Sequence, residues 1–321
     1  MKPILFLLSA AVALGQPLRL EKTIPLPGVQ GRIDHLAVDL EGKRLFVAAL
    51  GNNTLEVLGV ETGRRLASIA GLREPQGVAY PPGIKKIYVA NGADGRLRVY
   101  DGATLQPAGE VVFGGDADNV RYDAARRVLW VGYGSGALGA LDAASGKRAG
   151  DVKLDAHPES FQLEKSGARI FVNAPDAAEI EVVDRERRAV AAKWPVKAAG
   201  ANFPMALDEA DHRLFVGCRR PARLLVLDTE NSGALVAELP CAGDADDLFY
   251  DAARKRVYVI GGEGSISVFE QRSPDDYRLL AKVATAEGAR TGLYVPEWSR
   301  LFVAVRQRAA GAAEIRVFRA E

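Results

Sequence analysis

Histidine and carboxylate side chains occur at several equivalent positions along this chain, and they are the residues best suited to chemistry. The set consists of Asp34, His35, Asp118, His157, Glu159 and Asp246. Imidazole nitrogens combined with carboxylate oxygens are typical ligands of Zn²⁺, Mn²⁺ or Ca²⁺. In a metal-site hypothesis the ligands are His35, His157, Asp118 and Asp246.

The same residues allow two other interpretations. One acid could have a raised pKa among its like-charged neighbours and act as the general base of a hydrolase, with Arg32, Arg73 or Arg290 stabilising an oxyanion. Alternatively, the acids cap backbone amides at tight turns, as Asp and Asn often do. The sequence contains no serine nucleophile elbow and no zincin helix, so no recognised motif supports the hydrolase.

The elements that must position these residues are short β-strands in a long repeat. Each repeat has an aromatic anchor that follows an aliphatic residue, and successive anchors are 41 to 44 residues apart. The anchors are Phe46, Tyr88, Trp130, Phe171, Phe215, Tyr258 and Phe302. A period of this length with several strands per repeat is typical of a β-propeller with one four-stranded blade per repeat. The sequence therefore predicts an all-β, seven-bladed propeller.

In such a propeller, the loops that lead from the outer strand of one blade to the inner strand of the next form the mouth of the central channel. The polar residues that fall in these loops are the candidate ligand-binding residues. They are Asp34, His35, Gln76, Asp118, Asn119, His157, Glu159, Asn202, Asp246, Asp247 and Arg290. We therefore expect a polar site at one end of the channel.

The first strand of the chain has no hairpin partner nearby. Residues 18–26 resemble the fourth strand of a blade, whereas the last repeat supplies only three strands before the chain ends. Pairing the two completes the seventh blade and leaves no open edge in the ring. We predict that the N-terminal strand closes the C-terminal blade.

The N-terminus has the features of a secretory signal peptide. Lys2 precedes an apolar run, and Ala13 and Gly15 are small residues at the positions that precede a cleavage site. The run is too short to span a membrane. The predicted domains are a signal peptide at 1–15 and the propeller at 16–321, in a periplasmic or secreted protein with no membrane anchor.

The charge balance limits the classes of partner that the protein could bind. Lys and Arg total 42 against 41 Asp and Glu, without a basic stripe, which argues against nucleic acid as a partner.

The two cysteines, Cys218 and Cys241, are a candidate disulfide in an oxidising compartment, and two free thiols are the alternative.

The repeats resemble a known family of bacterial propellers. The segments RLFVA at 44–48, KIYVAN at 86–91 and RIFVN at 169–173, with strands such as RVYD at 98–101, are similar to Tyr-Val-Thr-Asn (YVTN) repeats. The chain thus resembles the YncE-like exported seven-bladed propellers. The resemblance implies a binding or scaffold role in the cell envelope without assigned catalysis, and single-stranded DNA binding has been linked to that family. Seven-bladed lactonases share the architecture.

These observations predict a monomeric, exported propeller without a cofactor that binds a protein partner or a small ligand over the channel mouth, without catalysis. The alternative is a metal-assisted, lactonase-like hydrolase that uses a divalent metal and the mouth carboxylates and histidines.

Overall fold

The computed structural model describes residues 15–309 and 311–321, which form seven four-stranded antiparallel sheets. The fold is the predicted all-β seven-bladed propeller. Except for Gly15, the predicted signal peptide lies outside the described residues. None of the helices in the described part of the chain has the length and hydropathy needed to cross a membrane.

The strands are numbered in chain order. They are β1 (Leu18–Leu26), β2 (Leu36–Asp39), β3 (Arg44–Ala49), β4 (Thr54–Gly59), β5 (Arg64–Ile69), β6 (Pro75–Ala79), β7 (Lys86–Asn91), β8 (Arg96–Asp101), β9 (Pro107–Val112), β10 (Ala117–Asp123), β11 (Val128–Tyr133), β12 (Ala137–Asp142), β13 (Arg148–Lys153) and β14 (Phe161–Leu163). They continue as β15 (Arg169–Ala174), β16 (Glu179–Asp184), β17 (Ala189–Pro195), β18 (Gly200–Asp208), β19 (Arg213–Arg220), β20 (Ala222–Asp228), β21 (Ala234–Pro240), β22 (Ala245–Asp251), β23 (Arg256–Gly261), β24 (Ser265–Ser273), β25 (Asp276–Ala284), β26 (Gly292–Val295), β27 (Arg300–Val305) and β28 (Ala313–Ala320). Short 3₁₀ turns lie at Leu50–Asn52, Pro175–Ala177 and Pro296–Trp298.

The ring is closed by the two ends of the chain. Blades one to six each use four consecutive strands, from β2–β5 to β22–β25, whereas blade seven has the order β26-β27-β28-β1. In that blade Leu18 pairs with Ala320 and Leu26 with Ala313. The predicted closure is confirmed. It covers the edge strand β28, which would otherwise expose a row of backbone groups.

The aromatic anchors hold neighbouring blades together. All seven lie in second strands and are at most 2% exposed. Phe46, for example, packs against Tyr80 of the next blade, with ring centroids 5.2 Å apart. Each core cluster draws side chains from two adjacent sheets, so the hydrophobic core is distributed around the ring.

The first strands surround the central channel. Each contacts the first strands of both neighbouring blades, which places all seven in a ring. At one end, several of these strands stop at an Asp whose carboxylate accepts a backbone N–H three residues later. Examples are Gly42 to Asp39 and Arg126 to Asp123. This end is closed by tight turns, and the loops entering the first strands lie at the other end.

The two cysteines are free thiols in different environments. Cys218 packs in the cluster shared by blades four and five, whereas Cys241 packs in the cluster shared by blades five and six. The two clusters lie on opposite faces of sheet five because side chains alternate across a strand. The arrangement therefore favours two free thiols over the candidate disulfide.

Candidate functional site

A small polar cavity, here called the mouth, occupies the channel end where the loops enter the first strands. Its volume is about 130 Å³. It is lined by Arg32, His35, Gln76, Asp116, Asp118, His157, Glu159, Phe203, Arg219, Asp246 and Arg290. All seven blades or their entry loops contribute, so the pseudo-rotational convergence expected from the repeat is present.

Asp246 forms ion pairs with three arginines at the mouth. Its Oδ1 accepts a hydrogen bond from Arg219 Nη2 at 2.5 Å, and its Oδ2 lies 2.9 Å from Arg290 Nε. Arg32 Nη2 lies 3.4 Å from the same Oδ2 and 2.9 Å from Asp34 Oδ2. Asp246 is 8% exposed, so these pairs are largely shielded from solvent. Much of the mouth's positive charge is therefore neutralised internally.

A second polar layer, here called the middle layer, lies beneath the mouth and consists of His35, Asn119 and Asp247. His35 Nδ1 is 3.3 Å from Asp247 Oδ1, and His35 Nε2 is 3.4 Å from Asn119 Nδ2. The Gly292 N–H donates to Asp247 Oδ2 at 2.8 Å. Burial alone lowers the pKa of His35, but the carboxylates of Asp247 and Asp34 outweigh it and raise the pKa to about 10. His35 is therefore a cation held by buried acids.

His157 is the second cationic imidazole. Its Nδ1–H donates to the Gly134 carbonyl at 2.5 Å, and its Nε2 lies 3.8 Å from Asp118 Oδ2. Burial lowers its pKa, whereas Asp118, the Gly134 carbonyl and Asp116 raise it, with a net value of about 9. A metal ion would have to displace a proton from either imidazole near neutral pH.

Two acids at or next to the mouth have raised pKa values. Burial, followed by the negative charges of Asp118 and Asp246, raises the pKa of Glu159 to about 8. Burial also raises the pKa of Asp34 to about 7, despite the opposing charges of His35 and Arg32. A protonated carboxyl can donate a hydrogen bond, so the mouth can act as both donor and acceptor.

Several buried acceptor atoms at the mouth have no hydrogen bond within residues 15–309 and 311–321. They are Oδ1 of Asp118, Oδ1 of Asn119 and the carboxylate oxygens of Asp34, of which Oδ2 is ion-paired with Arg32. Asp34 and Asn119 are each 1% exposed. Buried polar atoms are normally paired, and leaving one unpaired costs about 1–3 kcal/mol. Such atoms at the end of an open channel can bind a donor group.

The metal hypothesis receives no support from this geometry. Among the described residues, no three His, Cys, Asp or Glu side chains are arranged to hold a metal ion. Of the proposed ligands, Asp246 is instead bound to arginines, and His157 points its Nδ1–H at a carbonyl.

Comparison with known proteins identifies the architecture. No protein-family model matches the chain, and no curated protein has a significantly similar sequence. Solved structures do match. A chain of the structure described as "Crystal Structure of Mitotic Checkpoint Complex" has a TM-score of 0.78 at 14% identity, covering 99% of this chain and 98% of that one. A chain of "Kuenenia stuttgartiensis Hydrazine Synthase" has a TM-score of 0.79 at 14% identity, covering 91% and 97%. At this identity the likeness shows the fold alone.

The structure sorts the predicted site residues into three groups. His35, Gln76, Asp118, His157, Glu159, Asp246 and Arg290 line the mouth. Asp34, Asn119 and Asp247 lie buried just beneath it. Asn202 lies elsewhere: it is fully buried, and its amide donates to Asn173 Oδ1 and to the Glu179 carbonyl. Asn202 therefore joins blades four and five, and the structure does not bring it to the mouth.

Arg219 lines the mouth but is not among the site residues predicted from the sequence. Its side chain is 17% exposed, and its Cζ lies 3.7 Å from the centroid of the Phe203 ring. Arg73, a candidate oxyanion partner in the hydrolase hypothesis, is instead exposed and does not line the mouth. The position of Arg219 in the sequence could have indicated its place at the mouth, because it lies at the end of the second strand β19 and so beside the next entry loop.

Gly77 fixes the position of one mouth acid. A Cβ at this residue would lie 2.1 Å from the Asp118 carbonyl oxygen. Only glycine permits this approach between the first strands of blades two and three. The close contact holds the Asp118 backbone against blade two and positions its side chain at the mouth.

Proposed function

We propose that this chain is an exported binding protein that recognises a protein partner or a small ligand over the mouth, without catalysis. The observation that carries this proposal is the buried acceptor Asp118 Oδ1, which has no hydrogen-bond donor among the described residues and lies near Asp34, whose carboxylate has only its ion pairs. An ammonium, guanidinium or amide group of a ligand or partner would supply the missing hydrogen bonds. The surrounding arginines and protonated Glu159 would bind its polar neighbours.

The shape of the mouth favours binding of a protruding group. A cavity of about 130 Å³ is smaller than the sites that enclose drug-sized ligands, which are roughly 300–1,000 Å³. A single side chain of a protein partner or one polar group of a small ligand would fill it. The rim of the ring would then contact the remainder of the partner.

Partner capture from a periplasmic extract tests the proposal. The wild-type protein and the variant Asp118→Ala would be immobilised, and bound species quantified by mass spectrometry. Asp184→Ala, in an exposed outer turn, is the matched control. We expect one species to be retained by the wild type and the control but lost with Asp118→Ala. Equal retention by all three proteins would contradict binding over the mouth.

A metal-assisted hydrolase remains the second candidate because of Glu159. A carboxyl with a pKa of about 8 between two other acids has the protonation behaviour of a general acid or base. Metal analysis with a lactone turnover assay decides this. Stoichiometric metal together with turnover that is lost in Glu159→Gln would establish the hydrolase. Metal-free protein without turnover would reject it.

Export is part of the proposal and has its own test. We expect the mature protein to start at Gln16 and to lie in the periplasm or the medium as a monomer. N-terminal sequencing of the fractionated protein measures this directly. A chain that starts at Met1 in the cytoplasm would overturn it.

A further inference from the structure

The opposite end of the channel contains a larger cavity of different character, here called the lower cavity. Its volume is about 570 Å³, within the range of small-molecule sites. Aromatic and aliphatic side chains of the first strands form most of its wall, including Tyr80, Tyr122, Phe249, Tyr294, Leu36 and Leu293. The middle layer separates it from the mouth, since His35 and Asp247 line its inner end.

One cation that faces this apolar space has no ionic partner among residues 15–309 and 311–321. Arg121 lies in β10 and lines the lower cavity. Its Nη1 donates to the neighbouring Val120 carbonyl at 3.1 Å, and its Cζ lies 5.7 Å from the centroid of the Phe161 ring. In the part of the chain that the structure describes, no carboxylate oxygen lies within 4.0 Å of its guanidinium. Arginine cannot shed its proton in a protein, so the charge persists.

The repeat shows that arginine is exceptional at this position. The residue that pairs with each aromatic anchor is equivalent in all seven blades. These residues are Ala37, Ala79, Arg121, Gln162, Ala206, Phe249 and Leu293. The propeller is therefore built at this level without a charge in six blades. Arg121 is therefore not required by the repeat.

The remaining charges at the cavity do not satisfy Arg121. Asp247 is engaged by His35 and by the Gly292 N–H. Asp39 is bound by Arg44, with Oδ2 to Nη2 at 2.7 Å. The other charged lining residues, Glu41 and Lys85, are exposed on the tight turns at the outer rim. Among the described residues, Arg121 at the inner end of the cavity therefore has no ion pair; burial lowers its pKa, and the nearby charges of Asp247 and Asp118 only partly oppose this effect.

We propose that the lower cavity binds a monocarboxylate with an aromatic body, whose carboxylate pairs with the Arg121 guanidinium. The planar guanidinium offers two parallel N–H donors that match the two oxygens of a carboxylate. The aromatic side chains of the wall provide the contact surface for the body of the ligand. This site is separate from the mouth, so its existence does not depend on the function proposed there.

Calorimetric titration with 4-phenylbutyrate tests the proposal, with 4-phenylbutanol as the uncharged analogue. We expect one-to-one binding of the acid and an affinity at least about tenfold weaker for the alcohol, because a charged hydrogen-bonded pair contributes a tenfold effect or more. Arg121→Gln should weaken the acid to the level of the alcohol. The exposed Arg64→Gln is the matched control and should bind as the wild type does.

A second variant tests the site independently of whether Arg121→Gln folds. Leu293→Trp places a large ring in the lower cavity and keeps Arg121 intact. We expect this variant to lose binding of 4-phenylbutyrate by tenfold or more while its circular dichroism spectrum remains that of the wild type. Equal affinity for acid and alcohol, unchanged binding by Arg121→Gln, or absence of binding by the wild type would each overturn the proposal.

Discussion

The two ends of the channel differ in how their charges are partnered. The mouth contains many ionisable groups, but its arginines are largely bound to Asp246 and Asp34. The lower cavity contains few, yet its inner end holds Arg121 without an ion pair among the described residues. A count of charged residues alone would indicate a binding site only at the mouth. Groups without a partner determine what a site can bind, and both ends of the channel contain such groups, which suit different ligands.

First strands of the blades contribute to both ends of the channel, and the middle layer keeps the two ends apart. His35 and Asp247 contribute to the boundary from above, and the apolar residues that follow them in β2 and β22 line the cavity below. In β2 and β22 the side-chain chemistry therefore changes from polar at the start of the strand to apolar further on. One channel thus provides two separate environments.

The largest expected effect comes from breaking the middle layer. Asp247→Ala removes the acceptor of the Gly292 N–H and leaves His35 as a buried cation with a weaker partner. Breaking a buried charged pair costs about 3–5 kcal/mol of unfolding free energy. Chemical denaturation measures this. Asp244→Ala, at the half-exposed rim of the mouth, is the control and should cost about 1 kcal/mol or less. Similar losses for the two variants would contradict the boundary role.

A smaller effect is expected from Gly77→Ala, which disturbs the backbone of Asp118 at the mouth. The added Cβ would collide with the Asp118 carbonyl oxygen at 2.1 Å. Overpacking of this kind costs about 1–3 kcal/mol. Gly200→Ala is the control, because its Cβ would lie 3.6 Å from the Arg220 carbonyl oxygen, an ordinary contact. Thermal unfolding of both variants compares them, and an unchanged melting temperature for Gly77→Ala would refute the close approach.

The pH dependence of stability distinguishes the mouth from the rest of the molecule. The pKa of Glu159 is raised in the folded state from 4.5 to about 8, so the folded protein binds this proton more tightly than the unfolded chain does. Its contribution is present below the unfolded pKa and is lost as the pH rises through 8. The raised pKa values of His35 and His157 act in the same direction at higher pH.

Glu159→Gln should therefore be more stable than the wild type at about pH 9, by about 1 kcal/mol or more. Denaturation at a series of pH values measures the slope, which should be flatter in the variant between about pH 5 and pH 8. Glu61→Gln, an exposed change outside the mouth, should give a curve parallel to the wild type. A parallel curve for Glu159→Gln would mean that the mouth acids are solvated.

The smallest effect is expected at the lower cavity. Leu293→Trp should alter the unfolding free energy by less than about 1 kcal/mol, because the new ring enters open space. Val303→Trp in the adjacent strand is the control, since Val303 is fully buried and overpacking there should cost about 3 kcal/mol or more. Equal destabilisation by the two changes would show that the lower cavity does not accommodate a ring.

Most of the fold could be predicted because its signals are local and repeated. The aromatic anchors mark second strands, and the unpaired strand at residues 18–26 matches the incomplete last repeat, so blade number and closure followed from the pattern. The convergence of Asp118, His157 and Asp246 at the mouth followed from the same symmetry. The family resemblance to YncE-like proteins is finer than the fold and stays a prediction.

The sequence by itself determined which residues lie at each level of the ring, because strand period and blade period are properties of the chain. Only the tertiary structure decided which charges find partners. Arg219 reaches Asp246 of the next blade, Asn202 turns into the interface with Asn173, and Arg121 finds no carboxylate among the described residues. These outcomes depend on distances between blades that are remote in sequence. Pair energies change over a few ångströms, and no residue pattern encodes separations on that scale.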